Sequence, residues 1–171
     1  MKILITGIAG TGKTTTLAEL QKHGHVVIDL DATGICRWRN KETQEVTEYG
    51  PDGRDTEWLN LHGWYCDIPT LQKLLSCIRE DKDVFVAAIT ENIEELAKEF
   101  EKVFVLNAND DVIRNRLNAR SNNHFAKKEE EQNFIFKQSR YLISKLGDFV
   151  EVDADKNPTE IADFILSNLG K

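Results

Sequence analysis

The sequence predicts an α/β fold of the doubly wound type, a five-stranded parallel sheet flanked by helices, on three observations. Short apolar runs alternate along the chain with segments of helical period, three of those runs are almost free of polar residues, and a glycine-rich loop joins the first run to the first helical segment. Nearly continuous apolar runs suit parallel strands covered on both faces. Strands are expected at Lys2–Thr6, 25–30, 83–89, Lys102–Asn107 and 148–153. Helices are expected at Lys13–Lys22, where Leu17 and Leu20 recur at helical spacing, at 70–80, 93–100 and 111–120, at 129–146 in one or two pieces, and at 158–169. A length of 171 residues suits a single domain.

Two stretches break the rhythm. Residues 33–68 are rich in glycine, charge and tryptophan with no steady period, and residues 121–132 form a polar run after an arginine-bearing helix. Long irregular stretches inside compact domains are usually functional. Within the first, Trp58, Leu61 and Trp64 stand three apart, a spacing that suits one helix face packed into the core.

Composition narrows the function classes. Hydrophobic residues at 40% and charged residues at 30% are ordinary for a soluble domain. No apolar run approaches the ~20 residues needed to span a bilayer, and the N-terminal run lacks the form of a secretion signal. A cytoplasmic protein with no membrane partner, monomeric or homodimeric, is the expectation. Cys36, Cys66 and Cys77 form no Cys-x-x-Cys pair and are expected to be reduced. A net charge of −7 disfavours broad nucleic-acid binding, which rests on Lys and Arg.

Gly7-Ile8-Ala9-Gly10-Thr11-Gly12-Lys13-Thr14 satisfies G-x-x-x-x-G-K-[ST] at every specified position, and it lies between an expected strand and an expected helix. Gly7, Gly10 and Gly12 let the backbone wrap close to phosphate oxygens, so that the N–H groups around Thr11 and at the start of the helix, up to Thr15, face the anion. Lys13 is expected to reach the outer phosphates of ATP, and Thr14 to ligate Mg²⁺.

Asp29 and Asp31 stand at the end of the second expected strand, where ligands collect in open parallel sheets. Two apart on a strand, they would share a face, one assisting Mg²⁺ and the other accepting a proton from an attacking hydroxyl. Arg116 and Arg120 share a helix face suited to stacking on a base and clamping phosphates, and Arg114 points elsewhere. Asp31-Ala32-Thr33-Gly34 and Asn107-Ala108-Asn109-Asp110 imitate GTPase motifs, the second without its lysine. In 33–68, Arg37, Arg39, Arg54 and His62 among Trp38, Trp58, Trp64 and Tyr65 suit a ring-bearing or anionic small molecule, with Arg37, Arg39, His62 and Asp31 as candidate contacts.

Taken together, the glycine-rich motif, the Asp-x-Asp, the Arg-x-x-x-Arg helix before a polar run, and the terminal strand followed by Asp153-Ala154-Asp155-Lys156-Asn157-Pro158 resemble the adenylate kinase and shikimate kinase group of small P-loop kinases. The resemblance implies a P-loop NTPase-type sheet, an acceptor-binding insertion at 33–68, a lid at 121–132 that closes over ATP, and transfer of the γ-phosphoryl group to a small acceptor. Arg116 would then resemble the adenine-stacking arginine and Arg120 a phosphate-contacting one, with Asp155 and Pro158 passing near the base and Arg140 adding a lid charge. Ala87-Ala88-Ile89-Thr90-Glu91-Asn92 stands where adenylate kinases carry an Asp-Gly-Phe-Pro-Arg type motif, and the Gly-Gly-Gly of shikimate kinases is absent. The acceptor is not identified by the resemblance.

Overall fold

The computed structural model describes residues 1–49, 55–120, 125–126 and 128–170. Its centre is a five-stranded parallel sheet in the order β2-β6-β1-β7-β8, formed by β1 (Lys2–Thr6), β2 (Val26–Asp29), β6 (Val84–Ala87), β7 (Lys102–Asn107) and β8 (Val150–Asp153). All four strand pairs are parallel, with Leu4 opposite Val86 and Ile5 opposite both Ala87 and Phe104. These are the five strands expected, β1 and β7 with the expected bounds and β2, β6 and β8 shorter.

Alternation along the strands builds two cores. Leu4, Val84, Val86, Val103 and Val105 face one side and pack on Leu71 and Leu75 of α3 (Ile68–Ser76) and on Ile93 and Leu96 of α4 (Ile93–Ala97). Ile3, Ile5, Phe85, Phe104 and Leu106 face the other, against Leu17 and Leu20 of α1 (Lys13–Lys22) and Ile161 and Ile165 of α7 (Pro158–Ser167). Each such side chain, fully buried, contributes roughly 1.5–3 kcal/mol. The last helix starts where Asn157 caps it in a reciprocal box with Glu160, and Pro158 opens its first turn.

A third cluster ties two further helices to the glycine loop. Ile8 packs with Ile113 and Leu117 of α5 (Asp110–Ala119), and with Ile135 and Phe136 of α6 (Glu129–Ile143) and Ala126. Residues 129–132 of the expected lid belong to α6, and Glu131 and Gln132 are buried there. Residues 121–124 and 127 of that lid lie outside the described residues, as does Arg54.

The stretch between β2 and α3 departs most from expectation. Instead of an irregular loop it forms a second sheet, β4-β3-β5, antiparallel, from β3 (Cys36–Asn40), β4 (Val46–Thr47) and β5 (His62–Cys66), with α2 (Thr56–Leu61) leading into β5. Trp58 and Leu61 are therefore on a helix but Trp64 is on a strand, and Leu61 is exposed. The expected single helix face does not exist, because the β-favouring run from His62 to Cys66 ends the helix at Leu61. No helix among the described residues is long and apolar enough to cross a membrane.

Candidate functional site: a phosphate loop facing an aromatic wall

The glycine loop between β1 and α1 folds as its motif requires. Gly7 has φ of 148°, and a Cβ there would stand 2.5 Å from the Leu106 carbonyl oxygen, so only glycine lets the loop lie against β7. Gly12, at φ of 98°, turns the chain into α1 with no side-chain cap and no acidic residue in the first turn. The cap thus offers no side-chain acceptor to the first N–H groups of this helix, an arrangement that suits an anion. Thr11 is buried, and its hydroxyl donates to the Ile8 carbonyl (2.8 Å), holding the turn closed beside Gly10. Lys13 Nζ donates to the Gly7 carbonyl (2.7 Å), along the loop.

Opposite Lys13 stand the two carboxylates. Asp29 ends β2, but Asp31 lies in a single 3₁₀ turn (Leu30–Ala32), not on the strand, so a turn and not strand alternation brings the pair together. Asp29 Oδ1 accepts from the Asp31 backbone N–H (3.2 Å), the Asx contact that favours such a turn. Its other oxygen accepts from the Thr14 hydroxyl (2.7 Å). This hydroxyl and carboxylate are the oxygen donors a hard divalent cation takes alongside waters and phosphates. Among the described residues no three His, Cys, Asp or Glu side chains form a cage that would hold a metal by protein ligands alone.

Burial lowers the Lys13 pKa from its ordinary value, with Asp31 and Asp29 opposing that effect and Arg120 adding to it. Desolvation by the surrounding walls pushes the Asp31 carboxyl up, and Asp29 adds to this. Lys13, a hydrogen bond from Trp64 and Arg120 pull it back. Each group is thus held in tension by the loss of water around it.

A cavity of about 620 Å³ joins these groups. Lys13, Thr14, Thr15, Asp29, Asp31 and Arg120 line it. Trp38, Tyr49, Trp64 and Phe125 add an aromatic wall, and Glu91 and Gln138 also line it. Trp38 is the hub, stacked on Tyr49 (5.5 Å, 25°) and within 6.1 Å of Trp58, Trp64 and Phe125. Trp64 Nε1 donates to Asp31 Oδ1 (2.9 Å), which ties the aromatic wall to the carboxylate. Thr90, three residues beyond β6, also lines the cavity, and its buried hydroxyl has no hydrogen-bond partner among the described residues.

Other expected contacts are elsewhere. Arg37 and Arg39 do not line this cavity, because on β3 they alternate with Cys36 and Trp38 and face the opposite side, Arg39 donating to the Gln44 carbonyl (3.3 Å). His62 is stacked on Trp58 (4.3 Å) and engages its carbonyl through Nδ1 (2.8 Å), outside the lining. Arg116 donates through both terminal nitrogens to the Ala154 carbonyl (3.1 Å each), binding α5 to the loop after β8. Asp155 accepts from the Asn109 N–H (3.2 Å) in the same junction, and neither it nor Pro158 lines the cavity. Arg114 is turned to Gln132 and Asn133, and Arg140 pairs with Asp110.

Tyr49, Phe125, Thr90, Glu91 and Gln138 were not singled out by sequence as cavity contacts, and Trp38 was named only among the aromatics of the insertion. For Trp38 a signal existed: Cys36-Arg37-Trp38-Arg39-Asn40 alternates with period two, which separates the tryptophan from both arginines. The others come together only through tertiary packing.

A parallel sheet of this strand order, with the glycine-lysine loop between its first strand and first helix, defines a P-loop protein of the small-kinase fold. By sequence, the chain belongs to the family described as AAA domain, which matches residues 3–137. Among solved structures, a shikimate kinase from Bacteroides thetaiotaomicron is similar over 100% of this chain and 99% of its own, with a TM-score of 0.64 at 18% identity. TT1252 from Thermus thermophilus gives 0.62 at 21% identity over 100% and 98%. A deoxyadenosine kinase from M. mycoides, with bound dATP, gives 0.61 at 16% over the whole of both chains. No curated protein matches the sequence.

Proposed function

We propose that this chain is a cytoplasmic kinase that binds ATP at the P-loop and transfers its γ-phosphoryl group to a hydroxyl of a small acceptor. The observation that carries the reading is the single cavity shared by Lys13, Thr14, Asp29, Asp31, Arg120 and the aromatic wall. The backbone N–H groups of the loop around Gly10, Thr11 and Gly12, with those of Thr14 and Thr15, take the phosphates, and Lys13 leaves the Gly7 carbonyl to meet their outer oxygens. Arg116, already fixed to Ala154, offers its guanidinium plane to the base beside the loop of Asp155 and Pro158.

Thr14 and Asp29 are the residues that would hold Mg²⁺, which would supply positive charge to offset that of the phosphates. Asp31 accepts the proton of the acceptor hydroxyl. The acceptor oxygen bonds to the γ-phosphorus, the bond from that phosphorus to the β,γ-bridging oxygen breaks, and its electron pair leaves on ADP. Arg120 faces the charge that spreads over the moving group.

Lys13→Ala is expected to leave the fold intact by circular dichroism and to lower acceptor-dependent ATP consumption by about 10²- to 10³-fold, as loss of one preorganised donor does elsewhere. Unchanged turnover in the folded variant overturns the reading. Saturable ATP binding with no acceptor-dependent turnover across nucleosides, nucleotides, sugars and hydroxy acids would instead make the chain a nucleotide-binding regulatory or interaction module.

A further inference from the structure

Resting on the kinase reading, we infer that the acceptor is an uncharged compound with a flat heteroaromatic ring and a primary hydroxyl, of the nucleoside type, and not an acid, a sugar or a nucleotide. Two observations combine. Four aromatic side chains, Trp38, Tyr49, Trp64 and Phe125, line the cavity that the P-loop also lines, with Trp38 stacked on Tyr49 and within 6.1 Å of Trp64 and Phe125. Ring faces of this kind bind flat π systems, at a worth that corresponds to roughly tenfold to a hundredfold in affinity per stacked base. Sugars offer no such face.

The second observation is charge. Among the described lining residues, the cations are Lys13 and Arg120. Arg37 and Arg39, the arginines that would suit an acid, face the other side of β3. Lys41 is spent on Glu91 (3.1 Å). The other charged side chains of the described lining are carboxylates, Asp29 and Asp31 beside Lys13 and Glu91 paired with Lys41, so no cation beyond Lys13 and Arg120 is offered there to a carboxylate or a second phosphate. Glu91 and the Gln138 amide, hydrogen-bonded to each other, present polar atoms to the edge of a ring whose faces are covered. Because Trp64 holds Asp31 by its indole N–H, a ring against this wall brings its hydroxymethyl group towards the proposed base.

The chain's three tryptophans, Trp38, Trp58 and Trp64, all belong to this cluster, so their fluorescence reports on it without background from elsewhere. The full chain is titrated, with no nucleotide present, with adenosine, cytidine and hydroxymethylpyridine, and in parallel with glucose, a hydroxy acid and AMP. Saturable quenching by the ring alcohols alone is expected, and the first two probes against the third separate a true nucleoside site from a general ring site. In turnover with ATP, the ring alcohols should be the accepted substrates. Trp38→Leu should weaken the ring probe roughly tenfold or more while ATP binding stays within about twofold. If that variant does not fold, Trp38→Phe, which keeps a smaller ring, should give an intermediate loss. Trp64→Phe should keep ring affinity within a few-fold and lower kcat, since it drops only the tie to Asp31.

Preferential phosphorylation of glucose, the hydroxy acid or AMP overturns the inference, and so does the absence of quenching by every ring alcohol. Loss of acid or nucleotide turnover in Arg39→Ala would do the same. Ring quenching without any ATP turnover leaves the ring site standing and removes the kinase reading, so the two failures are distinguishable.

Discussion

At the scale of the residue, the site is a set of groups held in conditions that water would relieve. Desolvation raises the Asp31 pKa above its ordinary value of 3.8, so Asp31 is protonated at pH values where an exposed aspartate is already ionised. As a base it works only when deprotonated. The acid limb of kcat/KM should therefore lie above 3.8 and be absent in Asp31→Asn, whose residual rate should be flat through that range. The stability effect has the opposite sense: with its folded pKa raised, Asp31 favours the fold below its unfolded pKa, and that contribution is lost as pH rises through the folded value. Thr90 gives a second test. Its buried hydroxyl has no partner among the described residues, a condition that costs about 1–3 kcal/mol, so Thr90→Val should hold or raise the Tm of the free protein. If the hydroxyl meets substrate in the cavity, the same change lowers turnover. The P-loop was legible in sequence because its motif is one short contiguous pattern, although the space that demands glycine at Gly7 is set by Leu106 on β7. Thr90 was not, since a hydroxyl gains meaning only from what packs opposite, and Trp38 was legible only as one of several rings in the insertion.

At the scale of the element, β1, α1 and the loop between them were readable for the same reason: strand, turn and helix are specified within 21 residues, from Lys2 to Lys22. The three-stranded sheet was not. Its strands are short, their pairing joins Cys36 to Cys66 across the insertion, and β-propensity alone does not report partners at that distance. Where that sheet meets the core, the contact is tight at Gly63. A Cβ on Gly63 would stand 2.2 Å from Glu91 Cγ, and Glu91 is held there by Lys41 and Gln138. Gly63→Ala should therefore destabilise the protein by about 1–3 kcal/mol through forced repacking, read as a lower Tm, and should raise the acceptor KM by displacing Glu91. Adding Glu91→Ala should restore most of the Tm and leave the KM raised. A Gly63→Ala variant with unchanged Tm and KM would show that Glu91 has room to move.

At the scale of the whole molecule, the cavity gathers residues from nearly every layer: the P-loop, the end of β2, the second sheet, the residues after β6, and α6. A ligand that spans it clamps these parts together. ATP with Mg²⁺ should stabilise the chain by about 2.7 kcal/mol at a concentration 100 times Kd, seen as a rise in Tm that Lys13→Ala loses. A nucleotide-independent Tm would argue that the P-loop is not a working site. The order of the parallel sheet was legible only in outline, because its strands and helices alternate visibly while their lateral order is settled by packing. The two faces of β3 are the plainest case, since the same five residues read as a ring-and-arginine cluster in sequence and as two opposed surfaces in space.

The second sheet leaves the core after the turn at Ala32 and rejoins it at α3, and its two ends are joined by one backbone hydrogen bond, from the Asp67 N–H to the Ile35 carbonyl (3.2 Å). Chain entry and exit therefore coincide. Between those ends the sheet is fastened to the core by the Glu91 N–H to the Trp64 carbonyl, by Lys41 to Glu91 and by Trp64 to Asp31, so a change of length there would be felt at the carboxylate beside the P-loop.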